Sequence, residues 1–588
     1  MSLRLSRTKV ALLCLLAIGL PSARANAAQP DLRTTLRIGV WSLWHEREVK
    51  LIPAGPGHSI NLRTCAGCAA TAITLPASIR AADDVLFLTE PRKSIRADRV
   101  SITAPVTLAA HGEILTLPWP LVVTARSGAL VLAVTMPVES YVERVVASES
   151  DDADSAASLE ALAIVVRTFA LHQAHGHTDY NLCDSTHCQL VRWNANTARL
   201  RMARAAALAT AGETLWFHGR RALAYFGKDC GGYTASPAEI WSGARPLAYL
   251  PARPDPYCTR DGGHEWASEI VFSELTAALA THGLARSGWR SLAITQRGPS
   301  GRVVMLRADS TAIPAEQFRL AVGESLGWER IPSTWFEVRH VGDRFLFHGR
   351  GWGNGVGLCQ RGAAEMAAQD HSVTQILAQY FPGAQAADEA TGRAWQSIGG
   401  QGFQLESLEP ADAAYLPELA HARAEASERS GLNASAPFTV RAFASTLMFR
   451  SATLAPGWVA AFTQGNWIAT QPLRTLAARH LLEATLRHEF LHALVESRAG
   501  ASAPLWLREG LVEVWADDAG GENRPPALSR NAVDAALAHA GSEEESARAH
   551  SASAWYAEQL LQRYGRQQTL DWLHSGVPAS ISGSLGQR

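Results

Sequence analysis

Between residues 35 and 135 apolar and polar positions alternate in short runs, as in "LRIGVWSLW" and "SGALVLAVTM". A period of two predicts strands with one buried face. From Val138 the period lengthens: "VESYVERVVASE" and "SLEALAIVVRTFALHQA" predict helices. Mixed segments rich in Gly, Pro and Cys follow to about residue 265. "SLAITQRG" and "GRVVMLRADS" predict a hairpin around Pro299-Ser300-Gly301, and "GWGNGVGLCQRGAAEMAAQ" predicts a glycine-rich turn feeding a helix. A polar, Ala/Gly-rich stretch from about Gly383 to Asp412 reads as a linker, taken as residues 386–412. Beyond it, "FTVRAFAS" and "NWIATQPL" predict a small sheet, and strong helical periodicity runs to the end. No internal repeat is visible. The pattern predicts an α+β multidomain protein: a front domain over 28–385 that mixes strands and helices, and a rear domain over 413–588 with a small sheet and several helices.

Composition narrows the class. A chain of 588 residues accommodates two to four domains of roughly 100–200 residues. With 47% apolar and 19% charged residues it can build real cores, which excludes a disordered polymer. The net charge of −1 supplies no electrostatic reason to expect nucleic acid or an anionic membrane as partner. Residues 1–27 read as a secretory signal peptide: Arg4, Arg7 and Lys9 precede the apolar run "VALLCLLAIGL", and Ala25 and Ala27 suit an A-x-A cleavage site. No later apolar run of about 18 residues follows, so no membrane span is expected and the protein is expected to be periplasmic or secreted. Cys14 would leave with the peptide. Seven cysteines remain, an odd number in a compartment that favours disulfides.

The sharpest chemical signal is "EATLRHEFLHALVES". On a helix His488 and His492 lie one turn apart on one face, a spacing at which two imidazoles can share a Zn²⁺. Glu489 sits on the adjacent edge, placed to take a proton from a metal-activated water. The segment "APLWLREGLVEVWAD" offers Glu509 as third ligand, and Glu513, one turn on, as a carboxylate to hold a ligand histidine in its tautomer. Residues 410–575 thus resemble the gluzincin metallopeptidases, in which HExxH is followed by a glutamate in an E-G or E-A helix. In "AHSASAWYAEQLLQRYG" the resemblance implies that His550, with Tyr556 nearby, stands where such domains often carry a tyrosine facing the zinc, and either could steady an oxyanion. An ordinary packed helix is the competing account of that segment.

The front domain carries a second set of motifs. "VESYVERVVASE", "EALAIVVRTFALHQAHGHTDYNLCDSTHCQ", "AYFGKDCGGYTASPAEIWSGARPLAYLPARPDPYC" and "FHGRGWGNGVGLCQRGAAEMA" resemble, in order and spacing, the SpoIID/LytB family of stage II sporulation protein D and the amidase enhancers. The resemblance implies a peptidoglycan-directed role, with lytic transglycosylation of peptide-stripped glycan strands as the activity and Glu149 as the catalytic acid. That chemistry needs one carboxyl group, which protonates the glycosidic oxygen and then takes the proton of the sugar's own 6-hydroxyl, leaving a 1,6-anhydro end. Burial beside Val145, Val146 and Ala147 would keep Glu149 protonated, whereas Glu139 and Glu143 read as helix-face carboxylates. The chain departs from the family where Asn354 and Tyr233 replace histidines and Ser150-Asp151 replaces Met-Pro. Alternatives stay open: an enhancer that binds glycan and stimulates a separate amidase, or a zinc peptidase targeted to the wall by its front domain.

The cysteines divide three ways. His177, Cys183, His187 and Cys188 match the donor set with which some SpoIID relatives bind structural zinc, although a Cys183–Cys188 disulfide is equally compatible. Cys230 and Cys258 bracket one loop and are expected to form a disulfide. Cys65 and Cys68 stand outside any thioredoxin-like context, so a local disulfide is expected there.

Overall fold

The computed structural model describes residues 35–584 apart from 54–58, 104, 152, 173–176, 261, 263, 287, 517–527 and 540–541. Residues 1–27, expected to be a signal peptide, lie outside the described residues.

The alternating segments form two sheets, antiparallel throughout except where Leu182–Cys183 joins Thr35–Val40 in parallel. Seven strands, among them Thr35–Val40, Leu121–Arg126 and Ala129–Pro137, make one; six strands, among them Glu48–Ile52, Ala77–Ala82 and Val85–Glu90, make the other. Their inward residues, such as Ile38, Leu51, Ile79, Leu88, Val123 and Val134, belong to a single core. The strand Ala129–Pro137 runs directly into the helix Val138–Glu149, the change of period at Val138 being the change from strand to helix. Ala156–His172 packs against this helix, with Thr197–Ala209 against both.

One buried ion pair locks these helices together. Arg167 is fully buried, and its Nε and Nη2 donate to the two Glu139 carboxylate oxygens at 2.9 and 2.6 Å. It also donates to the Ala207 and Glu213 carbonyls. Glu139 is therefore no solvated helix-face residue, contrary to expectation: its partner lies 28 positions away, beyond the reach of local periodicity.

The front half is not one continuous unit. Residues 266–347 form a module with its own core, built on Phe318, Phe336, Phe345 and Phe347, and with two three-stranded sheets. The expected hairpin is present there as Leu292–Arg297 against Val303–Ala308. The chain then rejoins the first core, where Leu358–Cys359 pairs in parallel with Phe226–Gly227.

The stretch expected to be a linker is built into both halves. Gln385–Asp388 pairs with Glu213–Phe217 of the front half, while Gln396–Gly400 and Phe403–Ser407 open the five-stranded sheet of the rear half. Its polar, glycine-rich composition fits the exposed edge strand Gln396–Gly400 rather than free chain. Phe403 and Leu405 supply the buried anchors.

In the rear half the helices Leu416–Ser430, Leu482–Arg498, Leu505–Ala516 and Glu543–Ser575 pack about one core that includes Leu486, Phe490, Leu507, Leu511 and Leu560. The halves touch. Arg441 Nη2 reaches Glu213 of the front half and Glu406 of the rear half, each at 2.7 Å. Leu208 and Ala211 share a small core with Phe443, Phe449 and Trp467. Among the described residues no helix is long and apolar enough to cross a membrane.

Candidate functional sites

Glu149 closes its helix, where the chain leaves the helical conformation at Ser150. Burial raises its pKa to about 7, against the lowering effects of a backbone hydrogen bond from Leu190 and the charges of Arg192 and Lys228. A carboxyl group so placed is largely protonated below neutrality and can release its proton near pH 7, as a general acid must. The Tyr141 hydroxyl, donating to Gln189 Oε1 at 2.9 Å, has its pKa raised by burial and then by the Glu149 charge. Gln360 Nε2 donates to the Glu149 carbonyl oxygen at 3.0 Å, so the helix opening at Gln360 is fastened to the end of the glutamate helix.

The glycine-rich segment before Gln360 forms part of the same assembly. Gly351, Gly353, Gly355 and Gly357 all have positive φ. A Cβ on Gly357 would collide with the Tyr225 carbonyl, so glycine is required by both conformation and close approach. Trp352 bridges to Asp229, and Val356 to Ala235, bringing this loop against the 229–235 segment. Asn354 Oδ1 accepts from the Val356 amide, and Tyr233 pairs with Pro254, so the two positions where histidine was expected have local structural partners.

In the rear half the HExxH helix lies beside the edge strand Ala461–Gln464, whose Thr463 hydroxyl donates to Glu489 Oε2 at 2.5 Å. His492 Nε2 stands 3.0 Å from His488 Nε2 and 3.5 Å from Glu509 Oε2. The three expected ligands therefore converge. Gly510 lets the Glu509 helix approach the backbone of Ser553, which accounts for glycine after the glutamate. Burial raises the Glu509 and Glu489 pKa values and holds that of His492 well below its ordinary value. Glu509 Oε2 is buried without a hydrogen-bond partner. A buried carboxylate oxygen without a hydrogen-bond partner, beside His488 and a His492 whose neutral form is favoured by burial, fits Zn²⁺.

The supporting residues differ from expectation. Glu513 Oε1 pairs with His550 Nδ1 at 2.7 Å rather than with a ligand histidine. His550 Nδ1 also stands 3.7 Å from Glu509 Oε2, so His550 does face the site. Burial disfavours a charged His550, but the Glu513 hydrogen bond and the Glu509 charge outweigh it and raise its pKa. Tyr556 points elsewhere: its hydroxyl donates to the Leu528 carbonyl at 3.0 Å and its ring packs on Trp506, so it is not an oxyanion donor. The helical period separates these two residues, since six positions span 1.7 turns.

Among the cysteines, Cys65 and Cys68 form the expected disulfide. Cys183 and Cys188 are also paired, and His177 Nε2 lies 3.2 Å from Cys188 Sγ and His187 Nδ1 3.6 Å from Cys183 Sγ. All four donors lie within 4.8 Å of one another, so the set suited to zinc is assembled as well. Cys230 and Cys258 do not form the expected disulfide; both are free. They meet a third thiol, Cys359, and the Asp255 carboxylate, with all four donors buried and within 4.8 Å. Sequence reading missed Cys359 and Asp255 as members. The pairing of Leu358–Cys359 with Phe226–Gly227 brings that thiol across more than 100 residues, and the only prior signal was an odd cysteine in "GVGLCQ".

With this geometry in view, two family matches fall on the front half. Residues 126–217, which contain Glu149 and the His/Cys cluster, match the family described as stage II sporulation protein. Residues 259–357, essentially the inserted module, match a domain of unknown function, DUF8618. The chain is 27% identical over 264 residues to stage II sporulation protein D of Bacillus amyloliquefaciens, covering 42% of this chain and 73% of that protein. It is 22% identical over 294 residues to the amidase enhancer of Bacillus subtilis, covering 41% and 39%. An uncharacterised protein of Brachyspira hyodysenteriae is 25% identical over 287 residues, covering 47% and 72%. These similarities support the SpoIID/LytB character of the front half.

Proposed function

We propose that this chain is an exported peptidoglycan-remodelling protein whose front half cleaves glycan strands as a lytic transglycosylase. The observation that carries this reading is Glu149: a carboxyl group with a pKa of about 7, at the end of its helix, with Lys228, Arg192 and Gln360 around it. The relatives named for sporulation and amidase enhancement support the cell wall as its setting. In the step itself Glu149 gives its proton to the glycosidic oxygen as the bond to C1 breaks. The sugar's 6-hydroxyl oxygen then bonds to C1, and its proton passes to Glu149, which ends the cycle protonated. Atoms and charge balance without water or a second carboxylate.

A second activity is favoured by the orphaned Glu509 oxygen. His488, His492 and Glu509 would hold Zn²⁺, which supplies Lewis-acid activation when bound. Glu489, held by Thr463, is placed to accept a proton from water, and His550, held by Glu513, to donate to an oxyanion. The substrate class for this half would be a wall peptide or a protein partner.

The test is mass spectrometry of products from intact and amidase-stripped sacculi, with the protein and its Glu149→Gln variant. Anhydro-ended fragments from stripped wall, absent with the variant, are expected. If neither substrate yields glycan products, the lytic reading fails. Stimulation of an added amidase by Glu149→Gln would then assign the front half an enhancer role.

A further inference from the structure

Cys230, Asp255, Cys258 and Cys359 are close, buried and drawn from three separate segments. We infer that they form a structural site for a thiophilic divalent cation, Zn²⁺ by preference, behind the loop that adjoins Glu149. The inference does not depend on Glu149 being catalytic.

Donor chemistry comes first. Three thiolates and one carboxylate are a tetrahedral zinc set, and thiolates about 2.3 Å from zinc stand roughly 3.8 Å apart, compatible with the clustering seen. A disulfide accounts for the same residues poorly. Any one pair leaves a third buried thiol and a buried carboxylate crowded against it, and all three cysteines are free.

The surroundings resemble those of a metal site rather than of a chance cluster. Backbone amides of Cys230 and Gly362 point at Cys359 Sγ, at 3.3 and 3.5 Å. The Cys258 amide donates to Asp255 Oδ1 at 3.2 Å, and the Tyr380 hydroxyl to Asp255 Oδ2 at 3.0 Å. Ligands oriented by such outer hydrogen bonds are what metal sites need. Asp229 accepts from the Gly231 amide and from Cys258 Sγ, and its other oxygen faces Arg361 at 3.6 Å. Arg302, fully buried, donates to the Cys230 carbonyl at 2.9 Å and brings positive charge to the cluster. Three thiolates and a carboxylate around a dication would leave two negative charges. Arg302 is placed to offset part of that charge, and Arg361 that of the adjoining Asp229.

The location suggests what the site is for. Lys228 precedes Cys230 by two positions and its charge acts on Glu149; Gln360 follows Cys359 and holds the Glu149 carbonyl oxygen. A cation joining the 229–232, 255–258 and 358–360 segments would clamp both sides of the glutamate's surroundings, where β-ladder pairing alone amounts to two residues on each strand.

The test uses the full mature chain in two ways. First, in Cys183→Ser/Cys188→Ser/His488→Ala/His492→Ala protein, the other donor sets are disabled. Elemental analysis should find one zinc per chain, falling to less than a tenth on adding Asp255→Ala and Cys359→Ser. Cobalt loading should produce a near-ultraviolet thiolate charge-transfer band in the first protein and none in the second. Second, unsubstituted protein is alkylated with and without chelator and digested without reductant. Protection of Cys230, Cys258 and Cys359 that is lost with chelator supports the site even if the multiple variant does not fold. A Cys230–Cys258 disulfide peptide, or three thiols that alkylate equally with and without chelator, overturns it.

Discussion

Two glutamates eleven and one positions from the start of one helix have opposite fates. Glu149 is buried beside cations that do not reach it closely enough to neutralise it, so its proton is retained to about pH 7. Above that pH the general acid is lost, so kcat/KM on stripped glycan is expected to fall tenfold per pH unit, and a flat alkaline limb would remove Glu149 from that role. Glu149→Gln should lower turnover about 10²–10⁴-fold, the range for removing a positioned acid, without loss of fold. In the rear half, Glu489→Gln is expected to leave zinc content unchanged while peptide hydrolysis falls by a similar factor. His492→Ala should instead lose the metal. Equal zinc loss in both variants would show that Glu489 acts on the site's assembly.

At the scale of elements, long-range pairing fixes both ends of the helix Val138–Glu149. Glu139 anchors the helix through Arg167, and the opposite end presents Glu149. Glu139→Ala would leave the Arg167 guanidinium buried without its counter-charge, a loss of about 3–5 kcal/mol, readable as a lowered urea midpoint. Glu149→Gln should not show that loss, which separates the two glutamates experimentally. The loop 351–357 depends likewise on backbone rather than side chains. Gly357→Ala should destabilise the front half, because the new Cβ meets the Tyr225 carbonyl and φ is +79°.

Across the whole molecule the two halves are joined through Arg441, which is buried between Glu213 and Glu406. Its replacement by alanine should cost about 3–5 kcal/mol and turn cooperative unfolding into two separable transitions. Glu160 adds a pH dependence. Burial, and then the Glu213 charge, raise its pKa from 4.5 to about 7. A carboxyl raised on folding contributes stability that is complete at low pH and lost as pH rises through about 7. Thermal stability should therefore decline from about pH 4.5 to 7, and Glu160→Gln should flatten part of that decline. An unchanged slope would show that other groups dominate the region.

The order of strands and helices was legible because period and turn residues are local properties. So were the HExxH helix and the E-G segment after it, since an i, i+4 pair of histidines shares a face wherever its helix is placed. The catalytic role proposed for Glu149 came through resemblance rather than spacing alone. What the sequence could not disclose was every feature made by distant chain segments. Arg167 had no visible reason to choose Glu139, residues 396–407 looked like free linker until they found sheet neighbours, and Cys230 and Cys258 looked like a pair until strand pairing delivered Cys359. Local periodicity determines which face of an element is apolar; which faces meet, and which charges and thiols are thereby buried together, depends on long-range packing that only the tertiary structure decides.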